Sequence, residues 1–291
     1  DDESYKVLSY DISADYFGDV YVVGTFTGGF SAPLDAGGTL SVSGSLTNKP
    51  FGFLIKLNGN NGKALWVKVF DTSSSNANHT VHTVATTLNI NSDKIYISGH
   101  YSNGNLLIPG VTTPVSAGSN WDIFVASYDY DGNFLNHSLG NGDNVDAPLN
   151  SAVDNDDNFF LIGEYISDDL TFGSVGVSNS TSTYDAYLAK FSPNLTPVWI
   201  LGVGNDVYTD RFYDVAIDLN NDIIVVGTLS TGADVNPLGS SITLTPKVTR
   251  PTLPLKSSFL GKYDQSGNFI DGFILANATN TNGEHYFTGV G

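Results

Sequence analysis

One short pattern, a glycine closing an apolar run and followed one residue later by an aromatic residue or leucine, occurs four times in this chain. The copies are Val23-Gly24-Thr25-Phe26, Ser98-Gly99-His100-Tyr101, Ile162-Gly163-Glu164-Tyr165 and Val226-Gly227-Thr228-Leu229. The glycines Gly24, Gly99, Gly163 and Gly227 lie 75, 64 and 64 residues apart. A period of that length marks an array of one supersecondary unit, in which neighbouring copies bury each other's apolar faces.

Aligned on the glycines, each unit resolves into four short β-type runs. The first is Tyr5 to Ile12, Val81 to Asn89, Leu149 to Asp154 and Phe212 to Asp218. The second holds the motif, and Asp, Asn and Ser clusters such as Asn155-Asp156-Asp157 join it to the first, as hairpin turns require. A variable stretch follows: Thr27 to Pro50, Ser102 to Asn120, Ile166 to Thr183 and Ser230 to Lys256. The third run ends alike in each unit, at Lys56-Leu57, Ser127-Tyr128, Lys190-Phe191 and Lys262-Tyr263, before a tight turn and a fourth run. Four sequential antiparallel strands per unit describe a propeller blade. The expected fold is all-β: a β-propeller-like array of four four-stranded antiparallel blades, forming a single domain over residues 1–291. The repeat units run over about 3–74, 75–143, 144–206 and 207–281. The motif glycine is expected where backbones crowd too closely for a side chain, or at a β-bulge; either role is structural.

The runs Asp122-Ile123-Phe124-Val125-Ala126-Ser127-Tyr128 and Asp185-Ala186-Tyr187-Leu188-Ala189-Lys190-Phe191 resemble the SBBP-type β-propeller repeat of secreted bacterial and archaeal proteins. Trp66 and Trp199 meet the repeat's tryptophan position, and Leu139-Gly140-Asn141-Gly142-Asp143 and Leu201-Gly202-Val203-Gly204-Asn205-Asp206 its glycine-rich ending. The resemblance covers nearly the whole chain and implies the fold; it brings no set of catalytic residues with it.

After the fourth unit the chain runs on through residues 282–291. Tyr286 lies 73 residues after Tyr213, and Val290 73 after Ile217, so this segment reads as a surplus first strand of a fifth unit. A strand edge must be covered or paired. The expected assembly strand is Glu284, His285, Tyr286, Phe287, Thr288, Gly289 and Val290, which would pair with Tyr5, Val7 and Leu8 of the first strand, within the chain or in another copy of it.

Composition narrows the chemistry. A formal net charge of -18, with Arg211 and Arg250 the two arginines, repels phosphate backbones and anionic membranes, so no nucleic-acid partner is expected. No cysteine is present, which removes disulfides and thiolate nucleophiles, and no apolar run is long enough to cross a membrane as a helix. The start at Asp1-Asp2-Glu3 reads as a mature product after signal-peptide removal, hence extracellular or cell-surface. His79, His82, His100, His137 and His285 form no close ligand pair on one strand face, and no Gly-x-Ser-x-Gly elbow occurs.

The expectation is therefore no enzyme, no cofactor and no resident metal. The acidic runs Asp154-Asn155-Asp156-Asp157 and Asp129-Tyr130-Asp131-Gly132-Asn133 carry oxygen ligands for calcium, but lack a complete EF-hand pattern and are explained by turns. Sequons at Asn78, Asn136, Asn179, Asn194 and Asn277 would permit glycans. The leading function is a non-enzymatic exported structural subunit of an extracellular filament or surface assembly of identical copies, joined by terminal strand exchange. The alternatives are a monomeric carbohydrate- or protein-binding propeller and, third, a propeller glycosidase or lyase.

Overall fold

A computed structural model describes residues 6–45, 49–72, 78–87, 89–116, 120–179, 183–205, 209–230, 232–244 and 256–275. Among these residues the chain is all-β, with no helix. Repeat 1 carries β1 (Val7–Ala14), β2 (Val20–Thr27), β3 (Gly29–Pro33), β4 (Thr39–Ser43), β5 (Pro50–Leu57) and β6 (Ala64–Thr72). Repeat 2 carries β7 (Asn78–Thr86), β8 (Lys94–Ser102), β9 (Asn105–Leu107), β10 (Val115–Ser116), β11 (Asp122–Asp129) and β12 (Phe134–Asn141). Repeat 3 carries β13 (Asp146–Val153), β14 (Phe159–Tyr165), β15 (Asp169–Phe172), β16 (Val175–Ser178), β17 (Asp185–Phe191) and β18 (Pro197–Val203). Repeat 4 has β19 (Arg211–Ile217), β20 (Ile223–Ser230), β21 (Lys256–Tyr263) and β22 (Phe269–Leu275).

In every repeat the four expected strands pair antiparallel in sequence order, as β1-β2-β5-β6, β7-β8-β11-β12, β13-β14-β17-β18 and β19-β20-β21-β22. The variable stretches hold further strands that periodicity did not announce: β3 pairs with β4, β9 with β10 and β15 with β16. The β9–β10 hairpin blunts a sheet edge, because β9 adds to β6 through Leu107 opposite Asp71 and Leu106 opposite Thr72.

The four motif glycines have one job. Each first strand bulges opposite the motif, between Ser9 and Asp11, Val81 and Thr83, Pro148 and Asn150, and Phe212 and Asp214. The bulge pushes a carbonyl into the second strand. A Cβ on Gly24 would stand 1.9 Å from Leu8 O, on Gly99 1.9 Å from Thr80 O, on Gly163 2.1 Å from Ala147 O, and on Gly227 2.0 Å from Arg211 O. The two structural explanations for the glycine, backbone crowding and a bulge, are one arrangement.

The chain divides into two compact units, one of residues 1–140 with 193–195 and one of residues 141–192 with 196–291. Each is a pair of repeats stacked face to face by the same rule. In the first, Tyr21, Val23 and Leu54 of repeat 1 share a core with Val84, Ile97 and Phe124 of repeat 2. In the second, Ile162, Leu188 and Val203 of repeat 3 share a core with Val215, Val225 and Phe259 of repeat 4. By strand register, Val84 corresponds to Val215, Ile97 to Val225 and Phe124 to Phe259. The two interfaces therefore use matching positions.

Gly99→Ala is expected to destabilise the first unit by ~3 kcal/mol, since the new methyl group meets a carbonyl held by the ladder on one side and the Phe124 ring on the other. A fall in the urea midpoint at unchanged slope checks this; an unshifted midpoint removes the crowding argument.

Candidate functional site

Three features join repeats or remain open to solvent: a lysine clasp, a histidine stack, and the first strand. The clasp begins at the turn between first and second strands. Asp15, Asp154 and Asp218 occupy one position there, and the Oδ1 of each accepts two backbone N–H groups of its own turn: from Phe17 and Asp19, from Asp156 and Asn158, and from Asn220 and Asp222. These carboxylates cap turns because a short acidic side chain reaches back to the chain two and four residues on. In the later turns Asp129 Oδ1 accepts from Asn133 N, and Asp264 Oδ1 from Ser266 N and Asn268 N.

On the third strand Lys56, Lys190 and Lys262 occupy one position. Lys56 Nζ lies 3.1 Å from Asp19 Oδ2 and 3.7 Å from Asp15 Oδ2, and donates to the Tyr130 carbonyl of the next repeat at 3.1 Å. Trp66 Nε1 donates to that same carbonyl at 3.1 Å. The arrangement recurs in the second unit, where Lys190 Nζ and Trp199 Nε1 both donate to Gln265 O, at 3.2 and 3.1 Å. Repeat 2 has Thr87 in the aspartate position and Ser127 in the lysine position, so acid and base are exchanged together for a neutral pair.

Burial holds the Tyr21 phenol protonated far above its ordinary range, and its hydrogen bond to Asp15 at 2.8 Å adds to the effect. At the next interface Arg211 pairs with Glu164, and Asn150 Nδ2 donates to Asp214 Oδ1 at 2.6 Å.

The histidine stack lies in the first unit. His82 is the bulge residue of β7, and its Nε2 lies 2.9 Å from His100 Nδ1 on β8. Tyr10, the bulge residue of β1, stacks on His82 with ring centroids 5.2 Å apart, and Trp121 stacks on His100 at 4.0 Å. Sequence spacing concealed the pair because the bulge rotates His82 out of strict alternation and its partner lies across the sheet. The 2.9 Å approach requires one nitrogen to donate and the other to accept, so a second proton would set two N–H groups against each other. Burial lowers the pKa of His82 to about 4; burial, and then the neighbouring His82 and His79, lower that of His100 to about 3. Among the described residues no group of three or more His, Cys, Asp or Glu is placed to hold a metal ion.

The expected assembly residues divide. Val7 and Leu8 lie on β1 and are exposed, as are Tyr10 and Ile12. The first strands of the other repeats are mostly buried or half-buried. Tyr5 and Glu284 to Val290 lie outside the described residues. Of the sequons, Asn179 is buried and its amide donates to Thr183 O at 2.9 Å, which closes that site in the folded chain.

No protein-family model and no curated protein matches the chain.

Lys56→Ser should cost ~3 kcal/mol, because it leaves the buried Asp15 carboxylate without its cation. Adding Asp15→Thr, which reproduces the pair of repeat 2, should recover most of that loss; strict additivity in the double-mutant cycle would separate the two positions. For the histidines, the unfolded chain takes up protons near pH 6.5 while the folded one resists until about pH 4. Their contribution to stability is constant above pH 6.5 and falls as pH drops toward 4, by on the order of 3 kcal/mol. In His82→Gln that slope should flatten in unfolding titrations, and an unchanged slope would assign the acid sensitivity elsewhere.

Proposed function

We propose that this chain is a non-enzymatic, exported structural subunit: a β-propeller-like array of four blades that joins copies of itself into an extracellular filament or surface assembly. The observation that carries this reading is the exposure of the first strand. Val7 is 48% and Ile12 65% exposed on β1, whereas the equivalent residues in repeat 2, His79 and Val84, are 0% and 3% exposed. An apolar strand face in solvent, at a position that is otherwise covered by a neighbouring repeat, is a surface built to be covered.

The resemblance to the SBBP-type repeat points the same way, toward a surface or secreted scaffold. The carboxylates that could be suspected of acid and base chemistry are engaged as turn caps and lysine partners. The terminal strand is the second component of this reading: residues 284–291 would cover the first strand of a neighbouring copy.

Multi-angle light scattering of the full chain should give masses well above the 31.0 kDa of one chain, and deletion of residues 284–291 should reduce them. An unchanged assembly size after the deletion overturns terminal strand exchange, and a full chain that stays at 31.0 kDa overturns the structural reading.

A further inference from the structure

The two repeat interfaces define a donor face and an acceptor face, and strand register allows the same positions to be read on the other faces of repeats 4 and 1. The donor face of repeat 1 consists of Tyr21, Val23 and Leu54, with Trp66 and Lys68 of β6 lying against Gly132 in the next repeat's turn. Repeat 3 supplies Phe160, Ile162, Leu188 and Leu201 at the matching positions, all buried in the core shared with repeat 4. In repeat 4 those positions are Ile224, Val226, Leu260 and Phe273. Phe273 is 41% exposed, Ile224 and Leu260 are half-buried, Val226 is buried, and none of the four joins the core shared with repeat 3.

The acceptor face reads the same way. Val84, Ile97, Phe124 and Tyr128 of repeat 2 receive repeat 1, and Val215, Val225, Phe259 and Tyr263 of repeat 4 receive repeat 3. The matching residues of repeat 1 are Ile12, Val22, Phe53 and Leu57. Ile12 is 65% exposed; Val22 and Leu57 are half-buried and Phe53 is buried, in a core completed by Val42 and Leu40 of the β3–β4 hairpin, so Ile12 is the open position of this face.

The clasp has the same asymmetry. Lys56 and Lys190 each donate to a turn carbonyl of the next repeat, and Lys56 also pairs with the acidic turn of its own; Lys262 bonds Asp218 and Asp222 at 2.7 and 2.9 Å, and no turn carbonyl reaches it among the described residues. At the tryptophan position repeat 4 has the exposed Asp271.

From these positions we infer that the donor face of repeat 4 docks on the acceptor face of repeat 1 in a second copy of this chain, repeating the packing of repeat 1 on repeat 2 and of repeat 3 on repeat 4. The occupant is a second copy because each face is the register equivalent of one half of an interface this sequence already forms twice, so the two halves fit one another. The contact is head to tail: repeat 4 of one copy is the donor and repeat 1 of the next the acceptor, and growth continues as long as both are open. This inference rests on the structural-subunit reading, and specifies the surface by which the subunits meet.

The test uses Ile12→Asp, which spoils the acceptor, and Phe273→Asp, which spoils the donor. In sedimentation velocity over a range of concentrations, each variant alone should associate at least ~100-fold more weakly than the full chain, since docking would bury a carboxylate with no partner. An equimolar mixture should form a species of two chains and stop there, because one intact donor and one intact acceptor remain. Each variant must show the far-UV circular dichroism of the full chain, with Ile12→Ser or Phe273→Ser replacing one that does not.

If the full chain assembles and both variants assemble equally well, the inference is overturned while the structural-subunit reading stands. If assembly is lost on deleting residues 284–291 but survives both face variants, the terminal strand is the joint and the face contact is wrong. A full chain that remains a single chain at every concentration overturns both readings.

Discussion

The contact between a bulged first-strand carbonyl and a glycine on the second strand sets the geometry of every repeat. A bulge inserts one residue into one strand, twists the local ladder and turns the side chains beyond it to the opposite face. The partner strand must then tolerate a carbonyl where its own Cβ would sit, and only glycine does. Because the bulge recurs at one register, it places one residue per repeat out of alternation: Tyr10, His82, Leu149 and Tyr213. What lies before the bulge and what lies after it can therefore serve different neighbours. On β1, Asp11 and Ser13 turn toward repeat 2, where Asp11 accepts from Val84 N at 2.8 Å and Ser13 bonds Thr86 at 2.8 Å. Ile12, between them, faces away.

That alternation explains how each sheet is covered on both sides with so few charges in the core. Second and third strands are buried along most of their length, as in β8 and β11, so consecutive residues are apolar or small, and no period-two signal survives in the sequence. Polar contacts between repeats lie along the first strands, as between Asp11 and Val84 N or Asn150 and Asp214, and at strand ends, where turns present carbonyls and carboxylates. A lysine and a tryptophan sharing one carbonyl is a compact solution: the ammonium satisfies its own acidic turn and the neighbour's backbone at once, and the indole N–H accompanies an apolar ring into the interface.

Much of this was written in the sequence, and unevenly. The glycine spacing and the matched endings at Lys56-Leu57, Lys190-Phe191 and Lys262-Tyr263 carried the repeat and its four strands, because backbone crowding and turn closure depend on local residues. The hairpins β3–β4, β9–β10 and β15–β16 did not show, since they are short and their pairing is decided by what they pack on. The histidine stack was hidden for a geometric reason: His82 and His100 are 18 positions apart and meet only through a bulge. The clasp left a signal that could have been read. Asp15, Asp154 and Asp218 accompany Lys56, Lys190 and Lys262, and in repeat 2 Thr87 accompanies Ser127. A joint departure of two positions in one repeat is the mark of a contact, for the same reason that a charge cannot be buried without its partner.

The net charge of -18 follows from the same division of labour. Aspartates gather where they cap turns, at strand ends, while the faces that stack are largely apolar; in the first unit Tyr21, Val23, Leu54, Val84 and Ile97 share one core, and the buried Lys56 and Asp15 meet at its edge. A chain so acidic repels its copies at long range, but beyond about 8 Å that repulsion is screened at physiological ionic strength. Apolar burial, in contrast, acts at contact and is indifferent to salt of that concentration. In the head-to-tail contact we propose, attraction would come from Ile12, Leu260 and Phe273 leaving water, and the aspartates at the strand ends would stay hydrated at its rim. The charge would then oppose side-by-side association of whole surfaces without weakening the one contact in which apolar faces match. Acidity and self-association are in that sense compatible: the first limits where the second can occur.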